Sequence, residues 1–188
     1  MDKPLKVETL RLLLSYDPES GKLHWLYRDA SLFTGKGRGG AAGNAARWNS
    51  RYAGTEAFTA ISTDGYKHGC IFGKSIGAHR VVWAWWHGEW PRLEIDHING
   101  DPADNRIKNL RLVTGSQNCR NRRLRSDSTS GVTGVSWNIR LRKWVAHIGR
   151  EGCALRHVGV FVSLEEAVAA RKAAETAEGY HPNHGRPA

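Results

Sequence analysis

The sequence predicts an α+β protein, and three features support that prediction. Short runs with apolar residues at alternate positions indicate strands, as in Leu110 to Val113. Leucines at helical spacing indicate a helix between Leu5 and Leu14. After Gly131, three strand-like runs are followed by an alanine-rich segment that indicates a helix. Ser163, at the start of this segment, has the spacing of a capping box. The chain therefore combines small sheets with separate helices, which is an α+β arrangement.

The most informative stretch runs from Glu94 to Asn118. A strand that ends at His97 leads into a polar loop, where Asn99-Gly100 is a turn signal. A second strand follows, from Leu110 to Val113, and Thr114 then has the spacing of a helix cap. The pattern predicts strand, loop, strand and helix. Four polar residues lie near the junctions of these elements: Asp96, His97, Asn109 and Asn118.

The residue types at these junctions suit phosphodiester hydrolysis, which needs an activated water and an acceptor for charge on the leaving oxygen. A neutral histidine such as His97 is a base that works near pH 7. Asp96 and Asn118 offer oxygen ligands of the kind that Mg²⁺ or Mn²⁺ prefers. For Asp96-His97 alone the alternative is a capped turn with a surface histidine, because adjacent strand residues normally point to opposite faces.

Several segments of the chain together resemble the HNH nuclease family, and especially its phage and intron-homing branch. The resemblance covers roughly residues 65–123. The segments that carry it are His79-Arg-Val-Val-Trp83, His87-Gly-Glu-Trp-Pro91, Asp96-His97, Asn109-Leu-Arg-Leu-Val-Thr114 and Asn118.

This resemblance implies a ββα-metal (HNH) nuclease core that cuts DNA. By that resemblance, Asp96 and Asn118 hold one divalent metal, Mg²⁺ or Mn²⁺. His97 is then the general base, and Asn109 steadies the loop and the histidine. The family name expects histidine at the last position, but this branch uses asparagine, which Asn118 fits.

Basic residues around the core are expected to contact DNA. His79 and Arg80 either touch phosphate or brace the core, and the sequence leaves both roles open. The run after the nuclease helix is expected to lie along a DNA backbone. The alternative interpretation of this run is a solvated helix end, where cations interact favourably with the helix dipole. The arginines of this run are Arg120, Arg122, Arg123 and Arg125.

The C-terminal part resembles the ethylene-response-factor (apetala-two) DNA-binding domain, which also occurs attached to homing nucleases. That family lays a three-stranded sheet in the major groove, which makes Arg140, Arg142 and Trp144 the candidate DNA contacts here. The alternative is a small packing domain with ordinary surface cations. The resemblance is carried by Gly134-Val135, Lys143-Trp-Val-Ala146, Gly159-Val-Phe161 and Leu164-Glu-Glu-Ala167.

The chain of 188 residues has a formal net charge of +10, which favours a polyanionic partner. No long apolar run or N-terminal apolar core stands out, so we expect neither a membrane partner nor a secretion signal. Cys70, Cys119 and Cys153 are widely spaced, which indicates reduced thiols in an intracellular, cytoplasmic protein. The resemblance to the phage branch of the nuclease family implies a phage or bacterial host. No Cys-x-x-Cys pair supports a structural zinc.

Five regions follow from these patterns. An N-terminal support region with a helix, a hairpin and a flexible glycine-rich loop (35–54) occupies residues 1–64. The loop is expected to be either a basic segment near DNA or plainly disordered. The other four regions are an HNH nuclease domain at 65–125, a linker at 126–130, a DNA-binding sheet-plus-helix domain at 131–180 and a tail at 181–188.

The sequence thus predicts a metal-dependent endonuclease that hydrolyses phosphodiester bonds in duplex DNA, with one strand cut per active site. One alternative is a non-catalytic, sequence-specific DNA-binding regulator that keeps a nuclease-derived fold. Another is an RNA-directed nuclease. The target site and the oligomeric state stay open at this point.

Overall fold

The structure, a computed structural model, describes residues 5–115, 118, 124, 128–150, 153–180 and 184–185. It has mixed α+β architecture, with four α-helices and four small sheets among these residues, as the sequence predicted. By their internal contacts, residues 1–112 and 113–188 form two compact units. No helix of the described residues is both long and apolar enough to cross a membrane.

The first unit opens with a helix and a hairpin. Helix α1 (Val7–Leu13) runs directly into β1 (Leu14–Asp17), which pairs antiparallel with β2 (Lys22–Trp25). A short strand, β3 (Glu56–Ala57), adds to the other edge of β2. Gly21 closes the hairpin turn at φ +72°, and a Cβ there would lie 2.5 Å from the backbone nitrogen of Arg106. The turn therefore sits tightly against the loop that precedes the 3₁₀ helix at Ile107–Asn109.

The predicted glycine-rich loop is largely helical, so that prediction is wrong. A short 3₁₀ helix (Ala30–Leu32) precedes α2 (Gly40–Tyr52). Tertiary contacts explain the helix. Trp48 packs against Trp25 with ring centroids 5.6 Å apart, and the side chain of Asn49 bridges the backbone N–H and C=O of Arg28. These contacts offset the weak helix preference of the glycines.

A second small sheet and a helix follow. Strands β4 (Ala60–Ile61), β5 (Lys67–Ile71) and β6 (Lys74–Gly77) form an antiparallel sheet in that order. Helix α3 (Ala78–His87) begins directly after β6 and ends at Gly88, whose φ of +80° suits a glycine C-cap.

Helix α3 packs on α1 at the centre of the first unit. Trp85 and Trp90 donate from their indole nitrogens to the carbonyls of Leu14 and Leu5, at 3.0 and 2.6 Å. The N-terminal region and the predicted nuclease region thus share one core. Its buried members are Val7, Leu10, Leu13, Leu14, Tyr16, Leu23, Ala57, Phe58, Ile71, Ala78, Val81, Val82, Ala84, Ile95 and Leu110.

Two strands carry the predicted nuclease motif. Strand β7 (Glu94–His97) pairs with β8 (Leu110–Val113), and a 3₁₀ helix (Ile107–Asn109) leads into β8. Beyond β8, Gly115 and Asn118 are helical. The backbone N–H of Asn118 donates to the carbonyl of Thr114 at 2.9 Å, which is a helical i to i+4 bond.

The second unit has a three-stranded sheet and a long helix among the residues that the structure describes from 128 onward. Strands β9 (Val135–Asn138), β10 (Lys143–Arg150) and β11 (Cys153–Phe161) are antiparallel, with β10 in the centre. Helix α4 (Leu164–Ala177) starts where predicted, since the Glu166 N–H donates to Ser163 Oγ at 3.1 Å. Val135, Ala146 and Ala167 form the buried cluster.

His184 lies in the segment that the sequence marks as a tail, at residues 181–188, and it packs against the second unit. Its side chain is buried, with Nε2 3.3 Å from Nη2 of Arg171 and its ring centroid 4.8 Å from that of Tyr180. Arg171, itself buried, donates to the Thr133 carbonyl and pairs with Glu175 at 3.3 Å. A buried polar cluster therefore holds this part of the tail.

Candidate active site

His97 lies at the end of β7 and is only 5% exposed. Its Nε2 lies 3.3 Å from Oδ1 of Asn105, and Nδ2 of that asparagine donates to the Ala103 carbonyl at 3.3 Å. The second bond sets the orientation of the amide, so an acceptor oxygen faces the histidine. Nε2 must then carry the proton, which leaves the lone pair of neutral His97 on Nδ1.

Two further rings pack around His97. Tyr66 and His79 lie with their ring centroids 5.7 and 5.6 Å from that of His97, and 5.2 Å from each other. Nδ1 of His79 is buried without a hydrogen-bond partner within the described residues. The sequence left two roles open for His79, a phosphate contact or a brace. In the structure, His79 is part of the wall around His97.

Burial keeps both histidines uncharged. It lowers the pKa of His79 to about 4, and the neighbouring His97 and Arg80 act in the same direction. Burial also lowers the pKa of His97, against the opposing effects of Asn105 and nearby carboxylates. A neutral imidazole at pH 7 is the form in which a histidine can accept a proton.

The loop between β7 and the 3₁₀ helix is cross-braced by asparagine side chains. Asn109, 6% exposed, accepts from the Asn99 N–H and donates to the Asn99 side chain and the Asp104 carbonyl, each at 2.9 Å. Asn99 also donates to Asp104 at 2.7 Å. Asn109 thus braces the loop, while the contact with His97 is made by Asn105.

Sequence reasoning missed Asn105, which is 2% exposed and fully buried by its neighbours. It is one of several polar residues in the loop, and nothing in the pattern separates it from Asp101 or Asp104. The only available signal was its position eight residues after His97, and such a contact depends on the path of the loop.

The N-terminal hairpin holds this loop from outside. The hydroxyl of Tyr16 donates to the Asn105 carbonyl at 3.0 Å and accepts from the Ile107 N–H at 2.8 Å. Burial raises the pKa of Tyr16 to about 12, so the hydroxyl stays protonated and able to donate. Together with the close approach of Gly21, this makes the N-terminal region a support for the site.

Asp96 has different surroundings from His97. Nε and Nη2 of Arg111, on β8, donate to Oδ2 of Asp96 at 2.8 and 2.7 Å. Ile95 and His97 are buried, whereas Asp96 is only partly buried, which is the alternation of a pleated strand. The role of Asp96 as a metal ligand stays a prediction.

The described residues contain no group of three or more His, Cys, Asp or Glu that could hold a metal ion. One carboxylate and one amide oxygen, from Asp96 and Asn118, are the smaller donor set that the sequence proposes. Both bonds from Arg111 end on Oδ2, so the carboxylate is held in one orientation. These hard oxygen donors fit Mg²⁺ or Mn²⁺ and do not fit a structural zinc.

The other predicted site residues are spread over both units. Arg80 donates to the Pro91 carbonyl at 3.3 Å, which braces the segment after α3. Arg140 and Arg142 are exposed in the turn between β9 and β10. Arg120, Arg122, Arg123 and Arg125 lie outside the residues that the structure describes.

Trp144 lies on β10, where its ring is partly buried and packs against the core cluster of the second unit, 5.2 Å from the ring of Trp137. It shares the strand face of Ala146, which is fully buried. The role of Trp144 as a DNA contact stays a prediction.

Comparison with known proteins agrees with this site. The family model described as HNH endonuclease matches residues 77–120, which include His79, Asp96, His97, Asn109 and Asn118. Protein 3.8 of Escherichia phage T7 is 34% identical over 82 residues, which cover 43% of this chain and 68% of that protein. No solved structure matches the chain.

Residues 77–120 are an HNH endonuclease domain, and the buried His97 lies within it. The chain belongs to the HNH endonuclease family. The matching segment begins at the start of α3 and ends beyond β8, so it contains the whole loop around His97.

Proposed function

We propose that the protein is a metal-dependent endonuclease that cuts duplex DNA, with His97 as the general base. The observation that supports this most is the state of His97. It is buried, uncharged near neutral pH and oriented by Asn105, within the segment that matches the HNH endonuclease family.

In the proposed reaction, Nδ1 of His97 takes a proton from a water molecule. The water oxygen then attacks phosphorus, the bond from phosphorus to the 3′ oxygen breaks, and the products carry a 5′-phosphate and a 3′-hydroxyl. Asp96 and Asn118 would hold the divalent ion, which when bound supplies positive charge for the departing oxygen. Asn118 enters this site on the strength of the sequence motif.

DNA binding is proposed to use the basic residues of the second unit and of the segment after β8. Arg140 and Arg142 are exposed on a turn and can reach phosphate. The net charge of +10 supports a polyanionic substrate. The homing-type role and the resemblance of the C-terminal unit to apetala-two domains belong to the same proposal.

A non-catalytic DNA-binding regulator is the second candidate, and the ion pair of Asp96 with Arg111 favours it. A carboxylate neutralised by an arginine at 2.7 Å is a weaker ligand for a cation. Metal-dependent cleavage separates the two candidates, because a regulator would bind DNA with or without a divalent ion.

The deciding experiment is cleavage of end-labelled duplex DNA with and without Mg²⁺ by the full chain, His97→Ala and His24→Ala. Loss of a general base should slow cleavage by roughly 10²–10⁴-fold. His24, in β2, is the matched control and should cut like the wild type. Cleavage by His97→Ala at the wild-type rate would overturn the assignment. Competition by duplex RNA tests the RNA-directed alternative.

A further inference from the structure

The turn between β5 and β6 carries an aromatic residue where the backbone disfavours it. Ile71 pairs with Lys74, so Phe72 and Gly73 form a two-residue turn, with φ of +50° and +78°. Positive φ at both positions is the type I′ hairpin turn, which prefers Asn-Gly. A bulky side chain in the left-handed region costs on the order of 1 kcal/mol or more.

Burial does not offset the strain at Phe72. Phe58 also has a positive φ of +59°, but its side chain is 3% exposed and its ring lies 5.9 Å from that of Trp25. The side chain of Phe72 is 52% exposed. Phe72 therefore has both an unfavourable backbone conformation and an exposed apolar side chain. A residue in such a position points to a function.

The hairpin starts at the wall of the His97 site. At its base His68 pairs with Gly77, and a Cβ on Gly77 would lie 2.7 Å from the ring of His79. The Ile71–Lys74 pair lies three residues further along the strands. At about 3.3 Å per residue the tip reaches roughly 10 Å beyond the base.

The charge of this segment identifies the kind of partner. Residues 65–88 include Lys67, Lys74 and Arg80 but no aspartate or glutamate. Glu56, which pairs with Lys67 at 3.1 Å, comes from β3 outside the segment. An exposed aromatic ring in a segment whose own charges are all positive suits a nucleic acid, which has both phosphates and stacked bases.

We propose that Phe72 is a wedge that inserts at a base step of the duplex held at His97. This rests on the proposed function. A phenylalanine that enters between bases unstacks that step and kinks the duplex.

The experiment distinguishes a loss of base insertion from a loss of folding stability. Phe72→Asn places the favoured residue in the turn, so the melting temperature should stay the same or rise while the wedge is removed. Phe72→Leu keeps an apolar side chain. Tyr27→Ala, which removes another exposed aromatic residue of the first unit, is the matched control.

Unstacking is measured with duplex DNA in which 2-aminopurine replaces adenines along one strand, bound by His97→Ala so that no cutting occurs. We expect fluorescence to rise with His97→Ala alone or with added Tyr27→Ala, to rise less with Phe72→Leu, and to stay flat with Phe72→Asn. In the otherwise wild-type chain, Phe72→Asn should cut about tenfold more slowly or worse. A mismatch at the base step where 2-aminopurine fluorescence rises should restore much of that rate.

Equal fluorescence changes with and without Phe72→Asn would overturn the wedge, as would a wild-type cutting rate in that variant. Failure of the wild-type chain to cut with Mg²⁺, together with a fluorescence rise that Phe72→Asn abolishes, would overturn the proposed function and support the wedge. A flat signal in every variant would overturn the wedge whether or not the wild type cuts.

Discussion

The loop after β7 and the turn between β9 and β10 are both connections between strands, but they are built in opposite ways. In the first, Asn99, Asn105 and Asn109 bond to other parts of the same loop, and Asn105 and Asn109 are buried. In the second, the side chains of Arg140 and Arg142 are exposed, and Asn138 caps the turn by accepting from the Leu141 N–H at 3.0 Å.

The difference matches what each segment is proposed to do. A general base must be held in one orientation and one tautomer, and buried hydrogen bonds achieve that because an unsatisfied buried group costs about 1–3 kcal/mol. A phosphate contact needs only charge and reach, and long exposed arginines provide both. Rigid asparagines around His97 and exposed arginines in the turn are therefore different solutions to different tasks.

The prediction with the largest expected effect removes one hydrogen-bonding side chain from the loop after β7. Asn105→Ala leaves the proton on Nε2 of His97 buried without an acceptor and no longer fixes the tautomer. We expect cleavage to fall on the order of a hundredfold, with DNA affinity retained. Single-turnover cleavage and a binding titration measure the two effects separately.

Asn44→Ala is the matched control for that variant. Asn44 likewise holds a loop through its side-chain amide, by donating to the carbonyls of Thr34 and Lys36, but it lies in α2, away from His97. It should lose stability without a selective loss of rate. A wild-type rate in Asn105→Ala would mean that the orientation of His97 is set by other contacts.

The second test is the acid sensitivity of the first unit. The pKa of His79 is lowered to about 4 by burial, against about 6.5 in an unfolded chain. Between these values the unfolded state binds the proton more readily, so the stability contributed by neutral His79 is present above pH 6.5 and disappears as pH falls toward 4. The loss should be about 2 kcal/mol by pH 4.5.

His79→Phe keeps a ring against Tyr66 and His97 but cannot take up a proton. Its free energy of unfolding, from urea titrations at pH 7 and 4.5, should fall less than that of the wild type between the two pH values. His157→Phe, an exposed histidine on β11, should leave the difference unchanged. Equal losses in His79→Phe and the wild type would show that His79 is not held neutral by the fold.

Local patterns predicted much of the fold, because they depend on neighbours in sequence. The alternation in Leu110 to Val113, the Ser163 cap and the helix between Leu5 and Leu14 all appear near their predicted places. Helix α2 was missed because its glycine-rich sequence has little helical preference of its own. Its stability comes from Trp48 and Asn49, whose partners are some twenty residues away.

The site shows the same limit. The sequence proposed His97 as a base from its residue type and Asn109 through the family resemblance, and the structure places both beside the same buried loop. It could not assign Asn105 or Tyr16, because the Tyr16 bond spans 89 residues and the Asn105 bond depends on the path of the loop.

The smallest expected effect concerns the exposed turn, and it is a change in salt dependence. Each phosphate interaction that a substitution removes should reduce the log–log slope of binding affinity against salt by about 0.9 on duplex DNA. Arg142 has a φ of +50°, so Arg142→Asn removes the charge with a residue that tolerates this backbone. Arg140→Gln removes the other charge, and both should leave the cleavage rate at saturating DNA unchanged. Arg51→Gln, an exposed arginine in α2, is the control. The measurement compares the wild type with the variant that carries both Arg140→Gln and Arg142→Asn. If this variant keeps the wild-type slope and Arg51→Gln also has no effect, the turn does not bind phosphate. The proposed contrast between a rigid catalytic loop and a DNA-binding turn would then be wrong about the turn.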